Sequence, residues 1–231
     1  GDVGQILSHV AIRMRANHST AWSAARYAKI RTTPRTISGI AARNRVNRRP
    51  PLRSEFFFNP RYWPVWLLLG AMRCVARLPY AGQLFVGRTL GRVLYWTLRD
   101  RRIVARTNLR LCFPDMAPPD REALLRRHFV ALGIGAVEIA ACWWTPDAQL
   151  RPLTAVEGLE HLHEALAQGK GAILLTAHFT TTEIGARLLQ LFLICHASYR
   201  NHNNPLFDAV MHRAREAHCE TVIARGDVRA F

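Results

Sequence analysis

Residues 171–185 read GAILLTAHFTTTEIG, and this stretch decides the fold expected for the C-terminal half of the chain. The uncharged apolar run 171–176 has the composition of a buried β-strand. A second apolar run, residues 184–192, has the pattern of a helix. His178 and Glu183 lie between the two runs. The sequence therefore predicts a strand, a turn that carries a histidine, and a helix that opens with a carboxylate.

The spacing of His178 and Glu183 restricts how the two side chains can meet. Residues five apart on one continuous helix point away from each other, so a contact requires His178 to precede the helix. The threonines at 180–182 suit a helix N-terminus, and the helix dipole favours an acid in the first turn. In such a pair the carboxylate holds the imidazole and stabilises its charged form. The imidazole can then take a proton from a hydroxyl that attacks an acyl carbonyl.

The same residues also fit a purely structural pattern. Thr180 and Glu183 have the spacing of a capping box, in which the glutamate satisfies a backbone donor and His178 is an ordinary turn residue. The spacing alone does not separate this alternative from a His–acid dyad.

The remainder of the chain predicts an α/β fold, with a mixed or parallel sheet covered by helices. From residue 153 onward, short apolar strands alternate with helical segments. The predicted strands are 153–157, 171–176, 193–199 and 220–224, and the helices between them are 158–168, 181–192 and 204–217. The turn at His178 then lies at the carboxyl end of a strand, where open α/β sheets usually place their sites.

Three arginine-rich helices are predicted before this region, at 82–98, 101–112 and 119–142. The last contains Gly133-x-Gly135, which lacks both the third glycine and the preceding strand of a dinucleotide fingerprint. We interpret these glycines as sites of close helix packing and Glu138 as structural or at the margin of the site.

Residues 62–80 are the strongest membrane candidate in the chain. Trp63, Trp66 and Tyr80 suit an interface belt, although Arg73 and Arg77 interrupt the apolar run. We expect an N-terminal anchor helix that spans the bilayer or lies in its interface, and the alternative is a buried helix of the domain. The predicted domains are a basic, disordered extension at 1–54, the anchor at 55–80, and a catalytic domain at 81–231.

The formal net charge of +16 is concentrated at the N-terminus, where residues 1–54 hold eleven of the 32 Lys and Arg residues and one acidic residue. A basic surface attracts acidic proteins and phosphorylated lipids. The five cysteines are widely spaced and contain no C-x-x-C pair, so neither a disulfide framework nor a zinc site is predicted. We expect no metal and no cofactor.

A series of motifs in one order resembles the late acyltransferases of lipid A biosynthesis, the lauroyl/myristoyl-transferase family. The motifs are Asn59 to Trp63, Leu78 to Tyr80, Asn108 to Pro114, Gly133 to Gly135 with Glu138, Trp143-Trp144, Val156 to Leu162, His178 to Arg187, and Tyr199-Arg200 with Asn204 to Leu206. The resemblance runs from about Phe57 to Phe231.

This resemblance implies a glycerolipid-acyltransferase-like fold at the cytoplasmic face of the inner membrane. It implies transfer of a fatty acyl chain from acyl carrier protein to a hydroxyl of a lipid A precursor. His178 would be the general base and Glu183 would orient it, with direct attack on the thioester. Consistent with direct attack, the chain has no G-x-S-x-G elbow. Acyl carrier protein, the lipid A precursor and inner-membrane lipids are the expected partners, and nucleic acid is not expected.

Three further residues are candidates for substrate binding: Arg200, Arg187 and Asn204. A guanidinium can contact phosphate or a developing oxyanion. For Arg187 a salt bridge on the helix surface is the alternative, and for Asn204 we favour a helix cap. The chain has Asn201-His202-Asn203 where the family has a proline and an aspartate.

The chain begins with Gly1 and ends at Phe231, where the family continues, so we expect a fragment. Two other functions remain open from the sequence. A glycerolipid or lysophospholipid acyltransferase would use the same His–acid dyad on another acceptor. A non-catalytic basic protein that binds membrane or nucleic acid would depend on residues 1–54 instead.

Overall fold

A computed structural model describes residues 11–14, 55–169, 171–176, 178–218 and 221–224. The strands are β1 (Ala11–Met14), β2 (Thr154–Glu157), β3 (His196–Tyr199) and β4 (Thr221–Ala224). The helices are α1 (Glu55–Phe58), α2 (Trp63–Ala76), α3 (Tyr80–Thr97), α4 (Arg99–Cys112), α5 (Pro118–Trp144), α6 (Asp147–Leu150), α7 (Leu159–Ala167), α8 (Thr182–Leu189) and α9 (Pro205–Glu216), with 3-10 turns at Pro60–Tyr62 and Arg151–Leu153.

Helix α5 is the central element of the fold. Its 27 residues extend over about 40 Å, and prolines at its first positions supply the backbone angle that a helix start needs. Helices α2, α3, α4, α8 and α9 all pack against it. The side chains of Leu125 and Phe129 are fully buried in its first half, and Ala141, Cys142 and Trp143 are buried near its end.

Glycines allow α3 and α5 to approach until their backbones touch. A methyl group on Gly91 would lie 2.4 Å from the carbonyl oxygen of Phe129, and one on Gly133 would lie 2.3 Å from that of Gly87. These distances are shorter than any ordinary carbon–oxygen contact, so no larger residue fits without moving a helix. The interpretation of Gly133 as a site of close helix packing is confirmed.

The main hydrophobic core joins the N-terminal helices to the second half of the chain. Phe56 of α1 and Leu69 of α2 belong to the same buried cluster as Leu188 of α8 and Leu206 of α9. Burial of such side chains is the main term that holds helices together, at about 25 cal/mol per Å² of apolar surface. This cluster fixes α8 and α9 against the C-terminal half of α5.

The strands form two separate pairs in place of the single covered sheet that we predicted. β1 pairs with β2 in antiparallel register, from Ala11 opposite Glu157 to Met14 opposite Thr154. β3 and β4 are parallel neighbours. The described part of the chain is therefore mostly helical. Three of the predicted strands are present, as β2, β3 and β4, with slightly different ends.

The predicted strand at 171–176 is wrong. These residues form no strand, and the side chains of Ile173 and Leu175 are 98% and 96% exposed. A strand exists only where a neighbour satisfies its backbone donors and acceptors, and no described strand pairs with this run. Apolar composition favours a strand in general, but it does not specify the partner that a strand needs.

The N-terminal extension was expected to lack structure of its own. Its only described residues, 11–14, form β1, which extends the edge of β2 and lies against α8. These four residues therefore belong to a strand pair, and the prediction of a disordered extension at 1–54 stays a prediction. Residues 1–10 and 15–54 lie outside the described part of the chain.

The membrane candidate at 62–80 forms the 14-residue helix α2 together with the turns on either side of it. One face packs into the core through Leu69 and Ala76, while Trp63, Leu67 and Leu68 are exposed on the other. Within the described residues, no helix combines the length and the apolar character that crossing a bilayer requires. An interfacial position of α2 stays a prediction, as do the domain boundaries.

Candidate active site

The turn that carries His178 is closed by the side chain of Thr182. The Phe179 N–H donates to the Thr182 hydroxyl oxygen at 3.0 Å, and that hydroxyl donates to the Phe179 carbonyl at 2.7 Å. Helix α8 begins at Thr182, with Thr181 as its N-cap. His178 thus precedes the helix and its side chain is exposed, as the predicted geometry requires.

Glu183 lies in the first turn of α8, and its carboxylate is bound by an arginine from another helix. Arg215 of α9 donates through Nε to Oε1 at 2.8 Å and through Nη2 to Oε2 at 2.6 Å. The capping-box alternative is therefore wrong. The N-cap is Thr181 and not Thr180, and its side chain makes no cap hydrogen bond. The Glu183 carboxylate oxygens accept from a guanidinium and not from a backbone N–H. A bidentate charged pair of this kind is strong and fixes the orientation of the carboxylate.

His178 and Glu183 line the same cavity, which has a volume of about 610 Å³. Within the described part of the chain, no hydrogen bond joins the two side chains. The structure thus brings the predicted base and acid to one site and pairs the acid with Arg215. A carboxylate has about four acceptor positions, so two bonds to Arg215 leave capacity for an imidazole.

Arg187 also lines this cavity, and it forms a salt bridge. Its side chain is only 5% exposed, and Nη2 donates to the carboxylate of Asp147 at the start of α6. The salt bridge that we named as the alternative to substrate binding by Arg187 is present. The Arg187 side chain in it is buried, whereas Asp147 is exposed. The Arg187 guanidinium holds the pKa of Asp147 below its usual range.

His218 lies beside this pair at the end of α9. Its Nδ1 is 4.0 Å from the Asp147 carboxylate, and its side chain lines the cavity. Burial, followed by the positive charge of Arg187, lowers the pKa of His218. This imidazole therefore favours its neutral form.

Arg200 is exposed and lines the cavity next to Asn201, His202 and Asn203. Among the described residues it has no hydrogen-bond or ion-pair partner. Its guanidinium is thus available to an anion that enters the cavity.

Asn204 is the N-cap of α9, as we favoured. Its side-chain oxygen accepts from the Phe207 N–H at 3.0 Å, and Pro205 follows at the first helical position. Hydrogen bonds also fix the residues before this cap. The His202 N–H donates to the Asp208 carboxylate at 2.6 Å, and the Asn204 N–H donates to His202 Nδ1 at 3.1 Å. A substrate contact by Asn204 stays a prediction.

The side chains around the cavity that the sequence did not identify as site residues include Cys142, Arg215 and His218. Arg215 is 32 residues from Glu183 in another helix, and no local pattern marks it. Cys142 is fully buried, and burial, followed by the charge of Glu183, raises the pKa of its thiol well above the usual value. It is therefore a packed thiol and not an activated nucleophile.

Glu138 and Tyr80 belong to two separate motifs that meet in the structure. Glu138 is 7% exposed, and its carboxylate interacts with the Tyr80 phenol. Burial and the neighbouring carboxylate raise the pKa of Tyr80 to about 12, and burial raises the pKa of Glu138. The pair ties the start of α3 to the C-terminal half of α5, in line with a structural role for Glu138.

The described residues contain no group of three or more His, Cys, Asp or Glu side chains arranged to hold a metal ion. The four described cysteines, Cys74, Cys112, Cys142 and Cys195, are free thiols, and Cys219 lies outside the described residues. The chemistry available in the cavity is that of imidazoles, one carboxylate and guanidinium groups.

Comparison with known proteins identifies the family of this chain. The profile of the bacterial lipid A biosynthesis acyltransferases matches residues 52–231. The chain belongs to this family.

Several curated relatives carry the same family name in more specific forms. The chain is 36% identical over 178 residues to the lipid A biosynthesis palmitoleoyltransferase of Escherichia coli K12, with 77% of this chain and 58% of the relative covered. It is 32% identical over 181 residues to the lipid A biosynthesis lauroyltransferase of the same organism, with 78% of this chain and 59% of the relative covered. An acyltransferase of Haemophilus influenzae is 32% identical over 187 residues, with 80% and 60% covered.

The chain thus spans somewhat less than two thirds of the length of these relatives. No solved structure matches it.

Proposed function

We propose that this chain carries the site at which a fatty acyl group passes from acyl carrier protein to a hydroxyl of a lipid A precursor. The observation that supports the proposal most strongly is one cavity of about 610 Å³ that holds His178, Glu183 and Arg200. An imidazole, a carboxylate and a guanidinium are the groups that base-assisted attack on a thioester needs. Membership in the lipid A acyltransferase family supplies the class of acceptor.

In the proposed step, His178 removes the proton of the acceptor hydroxyl as its oxygen bonds to the thioester carbonyl carbon. The carbonyl oxygen becomes an oxyanion, and its collapse breaks the carbon–sulfur bond. The thiolate of the carrier leaves and takes the proton that His178 holds. An ester and a free thiol result, and the enzyme returns to its starting state without an acyl-enzyme intermediate.

Glu183 positions His178 and stabilises the imidazolium that forms during this step. Arg215 fixes the carboxylate through its two hydrogen bonds, which removes the freedom of Glu183 to turn away. The three side chains come from a turn and two helices, so their alignment depends on the packing of α8 against α9.

Arg200 is the favoured contact for substrate anions, either a phosphate of the acceptor or the oxyanion. Arg187 is already paired with Asp147, and a guanidinium that keeps a carboxylate partner offers less charge to a ligand. We therefore assign Arg187 mainly to holding α8 against α6, with substrate contact as a secondary role.

The exposed face of α1 and α2 is the proposed contact with membrane lipids. Phe57, Phe58, Trp63, Leu67 and Leu68 are all exposed there. Bulky apolar side chains next to a tryptophan suit the interface between headgroups and acyl chains. A position at the cytoplasmic face of the inner membrane would bring the cavity to a lipid acceptor and to a soluble acyl carrier protein.

The central test is His178→Ala with His161→Ala as the control, because His161 is an exposed histidine that does not line the cavity. Loss of the base is expected to lower kcat by about 10² to 10⁴, since that is the usual contribution of general base catalysis. The assay uses acyl carrier protein thioesters with a lipid A precursor as acceptor, and the His161 variant should stay within about 2-fold of wild type.

Three results would overturn this assignment. Equal activity of the His178 variant and wild type excludes His178 as the base. Transfer to glycerol phosphate or a lysophospholipid, with none to the lipid A precursor, establishes the glycerolipid alternative. A chain that lacks transfer altogether but loses lipid or nucleic-acid binding when residues 1–54 are removed fits the non-catalytic alternative.

The membrane contact is tested with Leu67→Glu combined with Leu68→Glu, and with Leu166→Glu on α7 as the matched control. Sedimentation with phospholipid vesicles should show about 10-fold weaker binding of the double variant, because two apolar side chains leave the interface. Equal binding of the double variant and the control would remove this face from the proposal.

A further inference from the structure

Gly135 is a motif residue that the proposed chemistry does not use. It lies two positions after Gly133 on α5, and residues two apart on a helix point about 200° away from each other. Gly133 faces α3. Gly135 faces the other side, where it contacts the turn that carries His178.

The contact at Gly135 is between backbones. A methyl group at this position would lie 2.8 Å from the Thr180 carbonyl oxygen, 3.2 Å from Thr180 Cβ and 3.4 Å from the Thr180 carbonyl carbon. A carbonyl oxygen cannot rotate away as the end of a long side chain can. Any side chain at position 135 therefore has to displace the peptide at Thr180 or bend α5.

The opposite side of the same turn is held by Thr182. Its hydroxyl accepts from the Phe179 N–H and donates to the Phe179 carbonyl, and the Thr182 N–H donates to the same carbonyl at 3.2 Å. The turn is thus fixed by Thr182 on one side and rests on α5 on the other. Displacement at Thr180 would be transmitted through two residues to His178.

We propose that Gly135 is a positioning residue for the proposed base: the absence of a side chain lets the 178–182 turn rest on α5 and sets the place of His178 in the cavity. This inference rests on the proposed function, in which His178 acts on the acceptor hydroxyl. Misplacement of a catalytic group by about 1 Å can lower a rate by about 10².

The test compares Gly135→Ala with two other glycine substitutions in helices. Gly133→Ala places a methyl 2.3 Å from the α3 backbone, and Gly70→Ala places one in open space on α2. Gly135→Ala should lower kcat by about 10- to 100-fold while the KM for the acceptor stays within about 2-fold. Gly133→Ala should instead lower Tm, and Gly70→Ala should change neither quantity.

A second readout does not depend on activity. Amide hydrogen exchange of the free protein should be faster in the Gly135 variant at Phe179 and Thr182, whose N–H groups form the bonds of the turn. Exchange elsewhere in α5 and α8 should match wild type. Unchanged exchange at these two amides, or unchanged kcat, would overturn the inference.

The double variant Gly135→Ala with Thr180→Gly covers the case in which the single variant does not fold. Glycine at 180 removes the Cβ contact and lets the peptide take other angles, so folding and part of kcat should return. A double variant that is no better than the single one also overturns the inference.

The proposed function fails separately. If His178→Ala keeps full activity, the base is misassigned whatever Gly135 does. If His178→Ala is inactive and Gly135→Ala equals wild type in kcat and in exchange, only the positioning role is wrong.

Discussion

The two ends of α5 are joined to the rest of the molecule in different ways. Toward its N-terminal half, α3 approaches so closely that Gly91 and Gly133 touch backbone. Toward its C-terminal end, α8 and α9 surround a cavity, and the side chains around it pair across helices, as Arg215 does with Glu183 and Arg187 with Asp147. The contact between α3 and α5 depends on the shape of the two backbones alone, whereas the contacts around the cavity depend on charge.

This difference separates a packing contact from the candidate site. A contact between backbones tolerates almost no substitution but contains no group that can react. A cavity bordered by charged side chains is less tightly packed, yet it contains the imidazole, carboxylate and guanidinium groups that chemistry needs. Substitutions at the two ends of α5 should therefore affect different measurements.

Arg215→Gln should give the largest effect among the variants that test this contrast. Glutamine cannot form the bidentate charged pair with Glu183, so the carboxylate loses its fixed orientation. We expect kcat to fall by about 10- to 100-fold in the acyl transfer assay. Arg213→Gln, an exposed arginine two residues away on α9, is the control. Equal losses in the two variants would mean that general charge matters and the pair does not.

Gly91→Ala should affect stability and leave the chemistry unchanged. The added methyl would lie 2.4 Å from the Phe129 carbonyl oxygen, so α3 has to move away from α5. Overpacking of this kind costs about 1 to 3 kcal/mol in the free energy of unfolding, measured by denaturant titration. Gly82→Ala on the same helix meets only an ordinary 3.4 Å contact and should be neutral or slightly stabilising. A Gly91 variant as stable as wild type would contradict the contact between backbones.

Asp147→Asn should give the smallest effect, and that effect should depend on pH. Arg187 lowers the pKa of Asp147 in the folded state, so the pair stabilises the fold above about pH 4 and the contribution is lost as pH falls through the lowered pKa. Asp147 is 55% exposed, so solvent screening limits the contribution to about 1 kcal/mol or less. Tm should be lower than wild type at pH 7, and the two Tm values should converge as the pH falls below the lowered pKa of Asp147.

The matched control for this pH dependence is Asp115→Asn, an exposed aspartate between α4 and α5. Its Tm should follow wild type across the range. A difference in Tm between Asp147→Asn and wild type that is the same at all pH values would show that the charge of the Asp147 carboxylate does not cause the loss of stability.

The helices of the first half were predictable because their signals are local. Prolines at 118 and 119 mark the start of α5, and the predicted segments 82–98, 101–112 and 119–142 differ from α3, α4 and α5 by at most two residues at each end. Each of these helices satisfies its own backbone hydrogen bonds, so its existence depends little on distant residues.

The site was predictable only in part for the same physical reason. His178, Glu183 and the Asn204 cap have local signatures in the chain, whereas the partner of Glu183 comes from another helix. The run 171–176 has the composition of a strand, but whether it forms one depends on a neighbour that no local pattern specifies. Only the structure shows that 171–176 forms no strand and that Arg215 is the partner of Glu183.

The exposed run 171–176 has a practical consequence for work with this chain. It is uncharged, contains no proline and presents Ile173 and Leu175 to solvent, which is the composition of segments that stack into intermolecular β-structure. Copies of the protein at high concentration are expected to associate through these six residues. Dilute solutions or a mild detergent should therefore limit this association better than added salt, because the attraction is apolar and salt strengthens it.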